Sequence, residues 1–255
     1  MWNSAEERRD LLLARLRERA GTSVTELSTY IGVSEVTIRK DLDLLESQGM
    51  LTRVHGGAVI SSRGRVLLRV AEREQLQIEA KRRIAQAAIE LIKPKQTLFF
   101  DSSTTALQIV RLLGGREDLT VITNGLYTAI EASAYPDITV IDVGGVVRPW
   151  SSSVIGNLTQ DFIQRLHIDI AFLGARGVTS RLGLTELDLD EAQTKRQIVR
   201  VSDMVVCVAD ATKFGEDQAM SFALPHEIDR IITDQDAPNA LVEELRALNI
   251  KVDVV

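Results

Sequence analysis

The sequence predicts an α/β chain in two parts: a small N-terminal domain of three helices and a hairpin, then a larger domain built on a mostly parallel sheet. Three observations predict it. Glycines punctuate three short helical stripes within residues 1–60. From residue 76 onward, short apolar strands alternate with helical stripes, as parallel strands covered on both faces require. Between the two, residues 61–75 are rich in arginine and show no clear buried face, which reads as a linker. At roughly 100–200 residues per domain, 255 residues leave room for two.

The formal net charge of −6 conceals an uneven distribution. Residues 1–60 carry 8 Lys+Arg against 9 Asp+Glu, residues 61–83 carry 7 against 3, and residues 84–255 carry 15 against 24. The total speaks against gross attraction to nucleic acid. A near-neutral first part still leaves room for a small reading head with locally placed cations.

The first helix runs from Glu6 to Arg19, where Leu12, Leu13, Leu16 and Ala20 recur at helical spacing and Gly21 ends the run. Ser23 and Glu26 form a capping box, and Leu27, Tyr30 and Ile31 are the expected buried stripe of a second helix that stops at Gly32. Ser34 then caps a third helix, Glu35 to Gln48, with Ile38, Leu42 and Leu45 on one face and Gly49 closing it. Two helices joined by so short a glycine turn make a helix-turn-helix. At about 100° per residue, the side opposite Ile38 carries Val36, Thr37, Arg39, Lys40 and Asp43. A short apolar side chain, a hydroxyl and two cations near a helix N-terminus suit the major groove of double-stranded DNA. Met50–Val54, the turn His55-Gly56-Gly57 and Ala58–Ile60 follow as a hairpin wing. The expected DNA-contacting residues are Ser34, Val36, Thr37, Arg39 and Lys40 on the helix, with Arg53 and His55 of the wing beside the phosphate backbone.

After the linker, Gln77 to Ile92 is a helix with Ile78, Ile84, Ala85, Ala88, Ile89 and Ile92 on its stripe, broken by Pro94. Strands are expected at Thr97–Phe100, Leu119–Ile122, Ile138–Val143, Ile168–Leu173, Met204–Ala209, Arg230–Thr233 and Lys251–Val254. Helices are expected at Thr105–Leu113, Leu126–Ser133, Leu158–Leu166, Leu187–Val201 and Asn239–Leu248. Ligands of such sheets bind beyond the carboxyl ends of the strands, so the residues following each strand are the site candidates. The first strand is followed by Asp101-Ser102-Ser103-Thr104-Thr105, whose hydroxyls and helix-opening N–H groups suit an anion, although the same run serves equally as an N-cap. Next come Asn124 and Gly125, then Gly144, Gly145 and Arg148, then Gly174 and Arg176, then Asp210 and Lys213. Small residues let backbone approach a ligand, and Lys or Arg balances a phosphate. Trp150, beside Pro149, is read as a packing residue.

These stretches resemble the DeoR family of bacterial transcriptional regulators. In the first part the resemblance rests on Arg8 and the spaced apolar residues after it, on Val33 through Leu42, and on Gly49 through Ala58. In the second it rests on Asp101–Thr105, Thr123-Asn124-Gly125, Val143 through Arg148, Ala171–Gly174, Gly183-Leu184-Thr185 with Glu191 and Lys195, Asp210–Gly215, and Thr233-Asp234. The resemblance implies a winged helix-turn-helix domain over 1–60, a linker over 61–75, and over 76–255 an effector-binding and oligomerisation domain similar to ribose-5-phosphate isomerase and glucosamine-6-phosphate deaminase. It implies a repressor of a carbohydrate-metabolism operon, a homodimer or homotetramer on operator DNA, responding to a phosphorylated sugar. It also implies a phosphate-binding role for Ser102–Thr105, with Lys195 and Lys213 as partners. Two positions depart from the family pattern: Ser103 stands where glycine is usual, and Arg176 where an acidic residue is usual.

The alternatives are a regulator that activates, or an isomerase or deaminase of the same phosphosugar with Asp101, Glu186, Glu191 or Asp210 as base. A reading head serves a regulator and has no use in a metabolic enzyme, so no catalytic residue is expected. One cysteine, Cys207, and three histidines leave neither an intrachain disulfide nor a four-ligand zinc site, and no metal or cofactor is expected. No apolar run approaches the ~18 residues of a bilayer span, and the first residues show no apolar signal segment. A cytoplasmic protein without a membrane partner is expected.

Overall fold

Capping residues set the helix ends in the computed structural model, which describes residues 5–19, 21–47, 49–54, 56–61, 70–148 and 151–255. The chain divides into two units, Met1–Arg69 and Val70–Val255. The first contains α1 (Ala5–Glu18), β1 (Thr22–Ser23), α2 (Val24–Ile31), α3 (Glu35–Ser47), β2 (Leu51–Val54) and β3 (Gly57–Ile60). Ser23 and Glu26 make the expected capping box. Gly32 ends α2 at φ 77°, a left-handed conformation in which its N–H donates to the carbonyl of Ser28 (2.9 Å). Leu12, Leu13 and Leu16 meet Val24, Leu27, Ile31, Ile38, Leu42 and Leu45 in one core. Each such side chain contributes about 1.5–3 kcal/mol on burial. β2 and β3 form the wing, antiparallel from Leu51 opposite Ile60 to Val54 opposite Gly57, and β1 adds to the other edge of β3.

Tyr30 departs from the expected stripe. It is 49% exposed, because Val24, Leu27 and Ile31 already fill the face toward α1 and α3. Its ring instead lies under the guanidinium of Arg15, 4.7 Å from centroid. Asp41 departs the other way: it is buried and takes a two-pronged hydrogen bond from Arg8, Nε to Oδ2 at 2.6 Å and Nη2 to Oδ1 at 3.0 Å, which ties α1 to α3.

The second unit opens with α4 (Val70–Gln75) and α5 (Ile78–Ile89). It continues through β4 (Thr97–Phe100), α6 (Thr104–Val110), β5 (Leu119–Thr123), α7 (Leu126–Ala132), β6 (Ile138–Asp142), β7 (Val146–Arg148), β8 (Ser153–Ile155) and α8 (Asn157–Ile163). It ends with β9 (Ile168–Leu173), β10 (Gly177–Thr179), β11 (Gly183–Glu186), α9 (Leu189–Arg200), β12 (Ser202–Val208), β13 (Met220–Ala223), β14 (Arg230–Thr233), α10 (Asn239–Ala247) and β15 (Lys251–Val254). The seven strands expected from the sequence form one sheet in the order β15-β14-β12-β9-β4-β5-β6, every neighbouring pair parallel. Strand alternation sorts its side chains between two cores. Phe99, Ala171, Leu173, Val205, Cys207 and Ile231 face α8, α9 and α10. Leu98, Phe100, Ile170, Phe172, Val206, Val208 and Ile232 face α5 and α6. Phe100 and Phe172 stack at 5.1 Å between ring centres.

The sequence reading lacks the small antiparallel sheet β10-β11-β13, the hairpin β7-β8 and the helix α4. Those strands are short and mix apolar with polar or glycine residues, so no apolar run marks them. Helix α4 falls within the expected linker. The Lys81 ammonium holds it from α5 by donating to the carbonyls of Arg73 and Leu76, each at 2.5 Å, while Glu74 pairs with Arg111 and accepts from Gln108 (3.3 Å) on α6.

Candidate functional site

The first unit presents the outer face of α3. Ser34 caps the helix, accepting the Thr37 N–H at 3.2 Å, and the two hydroxyls lie 2.9 Å apart. Thr25 of α2 donates to Glu35 at 2.7 Å and so fixes the angle of the turn. These hydrogen bonds, with that from Arg39, hold the Glu35 carboxyl below its usual range. Val36 is 64% exposed, with Arg39 and Lys40 also exposed. An apolar side chain left in water on the first turn of a helix, next to two cations, suits base edges and phosphates. Arg39 rests on Glu35 (3.1 Å) and Arg53 on Asp43 (2.6 Å), both through exposed pairs that DNA phosphates can replace. His55 lies outside the described residues.

In the second unit the sheet order defines a single switch point. From β4 the chain builds outward through β5 and β6, then returns to the other side of β4 and builds through β9, β12, β14 and β15. The carboxyl ends of β4 and β9 therefore bracket the crevice in which such sheets bind ligands. Asp101 leaves β4 there, buried, accepting the N–H groups of Ser103 (3.0 Å) and Gly174 (2.9 Å). Gly174 is required by this approach: a Cβ on it would lie 2.5 Å from Cβ of Ser103. Ser103 in turn caps α6, accepting the Ala106 N–H (3.2 Å). Thr104 and Thr105 are buried in its first turn.

Lys195, on α9, enters the same point. Its Nζ lies 3.1 Å from Asp101 and 2.9 Å from Glu186, and donates to the carbonyl of Gly174 (2.8 Å). Burial works against its charge, but Glu186, Asp101 and Glu191 outweigh burial and raise its pKa. Burial likewise opposes charge on Glu186, yet Lys195 and Arg176 prevail and its pKa falls below the ordinary value. For Glu191 burial prevails over Lys195 and the Ser153 hydroxyl, so its pKa is raised. Glu191 accepts the Ser153 hydroxyl, which lies 2.8 Å from that of Ser151. Arg176 lies 3.5 Å from Glu186. Asn124, at the end of β5, donates to the carbonyl of Val154 (3.4 Å) while its buried Oδ1 has no partner.

The structure thus gathers Asp101, Ser103, Gly174, Arg176, Glu191 and Lys195 in one network. Gly125 packs beside it, where a Cβ would come within 2.9 Å of Cα of Ser102. Other candidates are engaged differently. Gly144 and Gly145 turn the chain into the β7-β8 hairpin against Thr159 and Ile155. Arg148 pairs with Asp188 and Asp190 at the start of α9. Asp210 caps the turn Ala211–Lys213, and both Asp210 and Lys213 act electrostatically on Lys81. Trp150 and Pro149 lie outside the described residues. Sequence reasoning left out of the site Ser153, Lys81 and Arg73, and took Glu186 only as a possible base. Arg73 carries no signal beyond being one of seven basic residues in 61–83.

Two further features lie at the opposite end of the sheet. An open groove of about 700 Å3 is lined by Gln86, Pro94, Leu112 and Arg116, at the amino ends of β4 and β5. Among the described residues one group of three metal-capable side chains, His167, Asp169 and Asp203, comes together at the amino ends of β9 and β12. Asp169 there already accepts the Thr97 N–H (2.6 Å).

Fold and site together define a regulator that reads DNA with one unit and carries a strand-end ligand crevice in the other. Comparison with known proteins agrees. The DeoR-like helix-turn-helix domain matches residues 8–63, and the DeoR C terminal sensor domain matches residues 76–235. The chain is 37% identical to the HTH-type transcriptional regulator GolR of Listeria innocua serovar 6a, over 97% of this chain and 98% of that one. It is 32% identical to the glycerol-3-phosphate regulon repressor of Escherichia coli strain K12, again over 97% and 98%. Among solved structures, ribose 5-phosphate isomerase A of Methanocaldococcus jannaschii aligns at 18% identity and TM-score 0.40, over 52% of this chain and 53% of that one. The chain belongs to the DeoR family of transcriptional regulators and is a DNA-binding regulator, not an enzyme. No helix among the described residues is long and apolar enough to cross a membrane.

Proposed function

We propose that this protein is a cytoplasmic repressor of a carbohydrate-metabolism operon, and that a phosphorylated sugar bound at the β4-β9 switch point controls its hold on operator DNA. The observation that carries this reading is the buried network of Asp101, Lys195, Glu186 and Glu191 at the one crevice the sheet order creates. A buried ionic cluster is weak support for stability alone, and a strand-end crevice is where this fold class places ligands. Ser102–Thr105 supplies hydroxyls and helix-opening N–H groups for a phosphoryl group. The acids at Asp101, Glu186 and Glu191 suit the hydroxyls of a sugar. The relative named for a glycerol-3-phosphate regulon supports both repression and a phosphorylated effector.

The cavity beside Ser102, Ser103, Gly125 and Ser152 measures about 10 Å3, room for at most one water. A sugar phosphate enters only when these loops part, and that rearrangement is the difference between liganded and free states that linkage requires. The effector is the only small molecule involved, with no cofactor or metal. A homodimer or homotetramer places two α3 helices in successive major grooves about 34–36 Å apart or a multiple of it. Fluorescence anisotropy of the full chain on the DNA upstream of its own gene, with and without a panel of pentose, hexose and glycerol phosphates, tests the reading. One phosphate that shifts the affinity at least about fivefold, a coupling near 1 kcal/mol, supports it. Equal affinity throughout the panel overturns it.

A further inference from the structure

Arg73 is the site's anomaly. Its Nε and Nη2 are buried and make no hydrogen bond. A guanidinium is the most demanding of side chains in this respect, with five donors and no way to shed its charge at neutral pH. Buried donors in native proteins are almost always paired, and an exception calls for an explanation such as a missing ligand.

The surroundings supply one. The helix that carries Arg73 lies against α6, which opens at the switch point, through Glu74 with Gln108 and Arg111, and the Arg73 charge is within electrostatic range of Arg176, Glu191, Glu186 and Asp101. Burial, with the like charge of Arg176, lowers its pKa to about 10. Its backbone, meanwhile, is held by other groups: Lys81 takes the Arg73 and Leu76 carbonyls, and Glu74 is held by Arg111 and Gln108. The side chain is therefore not what fastens α4. Lys195 cannot serve as the site's anion receptor, since two carboxylates already crowd it. Arg176 shares its partner Glu186 with Lys195. Two guanidiniums within electrostatic range of each other, one with two buried N–H-bearing nitrogens that have no partner, suit a tetrahedral dianion, which Arg binds through paired N–H groups.

We propose that Arg73, with Arg176, binds the phosphoryl group of the sugar phosphate, and that the filled site thereby fixes α4. This rests on the reading of the switch point as a phosphosugar site. It adds a route to the DNA-reading unit, because Arg73 lies four residues beyond Arg69, the last residue of that unit. Ligand that holds Arg73 fixes α4, the first helix after that unit in the chain, so the liganded and free states differ in α4.

Hydrogen–deuterium exchange of the full chain tests it, with inorganic phosphate, glycerol 3-phosphate and glucose 6-phosphate as probes and unphosphorylated glucose as control. A phosphorylated probe is expected to slow exchange over 70–75 as well as over 101–105. In Arg73→Gln the probe concentration needed rises about ten- to a hundredfold, the worth of a charge-assisted hydrogen-bond pair, with Arg73→Lys in between. Protection over 101–105 but none over 70–75, or the same midpoint in Arg73→Gln as in the native chain, overturns the role of Arg73 and leaves the phosphosugar reading standing. No protection at 101–105 or 174–176 by any phosphorylated probe overturns both. Unchanged exchange of the β4 and β9 peptides in the ligand-free variants verifies that they fold.

Discussion

Replacing Lys195 by methionine asks whether one ammonium makes the buried carboxylates tolerable. Methionine retains most of the aliphatic volume and removes the charge. In the native chain Nζ lies 2.9 Å from Glu186 and 3.1 Å from Asp101, with side-chain exposures of 8% and 1% for the two acids. Removing one partner of a buried pair costs about 3–5 kcal/mol. Here two carboxylates and the Gly174 carbonyl lose their partner together, while Arg176 at 3.5 Å retains part of the Glu186 attraction. A loss of about 4 kcal/mol at about pH 8 is expected on that basis. The pH dependence gives a second handle. Native Glu186 has a lowered pKa, so its contribution is present above the ordinary carboxylate range and is lost as pH falls through its folded value. In the variant, burial prevails over what remains of the attraction and the Glu186 pKa rises. The folded variant then holds protons that the unfolded chain has released, and its stability falls as pH climbs from about 4.3. The deficit is therefore expected to shrink from about pH 8 to about pH 5, by up to roughly 1.4 kcal/mol for each unit over which one extra proton is held. Urea unfolding followed by circular dichroism at both pH values measures it. A loss below about 1 kcal/mol at the higher pH, or an equal loss at both, would refute the reasoning that assigns Lys195 this work.

Arg39→Ala should weaken operator binding by about 1–3 kcal/mol in anisotropy titrations while shifting stability by less than about 0.5 kcal/mol, because its partner Glu35 is an exposed i, i+4 neighbour. Loss of fold together with binding would count against a reading role. Thr104→Ala combined with Thr105→Ala should keep operator affinity and abolish its response to the sugar phosphate; an intact response sinks the phosphate loop. Lys81 has its pKa lowered to about 8 by burial from an ordinary 10.5, so between those values the unfolded chain binds more protons than the folded one. Stability relative to Lys81→Met should accordingly rise across that window in urea titrations, and a flat or falling difference contradicts the assignment. Arg73→Met should stabilise the ligand-free chain by about 1–3 kcal/mol, the cost of buried donors without partners. A comparable destabilisation in thermal melts would make Arg73 a structural residue.

The seven parallel strands were legible because most are apolar runs bounded by glycine, proline or polar turn residues, with Lys251–Val254 alternating instead, and the reader helices because Ser23, Gly32 and Ser34 mark their ends. Asp101, Glu191 and Lys195 were legible in type but not in arrangement. That Lys195 meets Asp101 depends on α9 crossing beneath β9, a contact separated by 94 residues, and no local period encodes it. The Lys195–Glu186 pair needed β11, whose residues Gly183-Leu184-Thr185-Glu186 form no apolar run. Tyr30 was misplaced because an aromatic next to Ile31 reads as core, whereas the α2 face is already full. Helix α4 was hidden because its hold comes from Lys81, Arg111 and Gln108, polar side chains outside it, and not from an apolar stripe of its own.

Among the described residues the buried side-chain atoms without a partner are Arg73 Nε and Nη2, Asn124 Oδ1 and Thr233 Oγ1. None lies within the body of the sheet. Asn124 follows β5, Thr233 is the last residue of β14, and Arg73 lies within electrostatic range of the network at the ends of β4 and β9. Packing alone would scatter such defects or remove them, because each is worth about 1–3 kcal/mol and a methionine or leucine at residue 73 would lift the cost. Their confinement to the carboxyl ends of a parallel sheet has the opposite logic: hydrogen-bonding capacity is withheld from the protein where a ligand can use it. The ionic network beside them is nearly self-compensating, with Lys195 and Arg176 set against Asp101, Glu186 and a Glu191 whose pKa is raised by burial. Such a network orients a sugar but supplies little net attraction for a dianion. The charge that attracts one has to come from outside it, and the residue placed to bring it stands on the first helix after the DNA-reading unit.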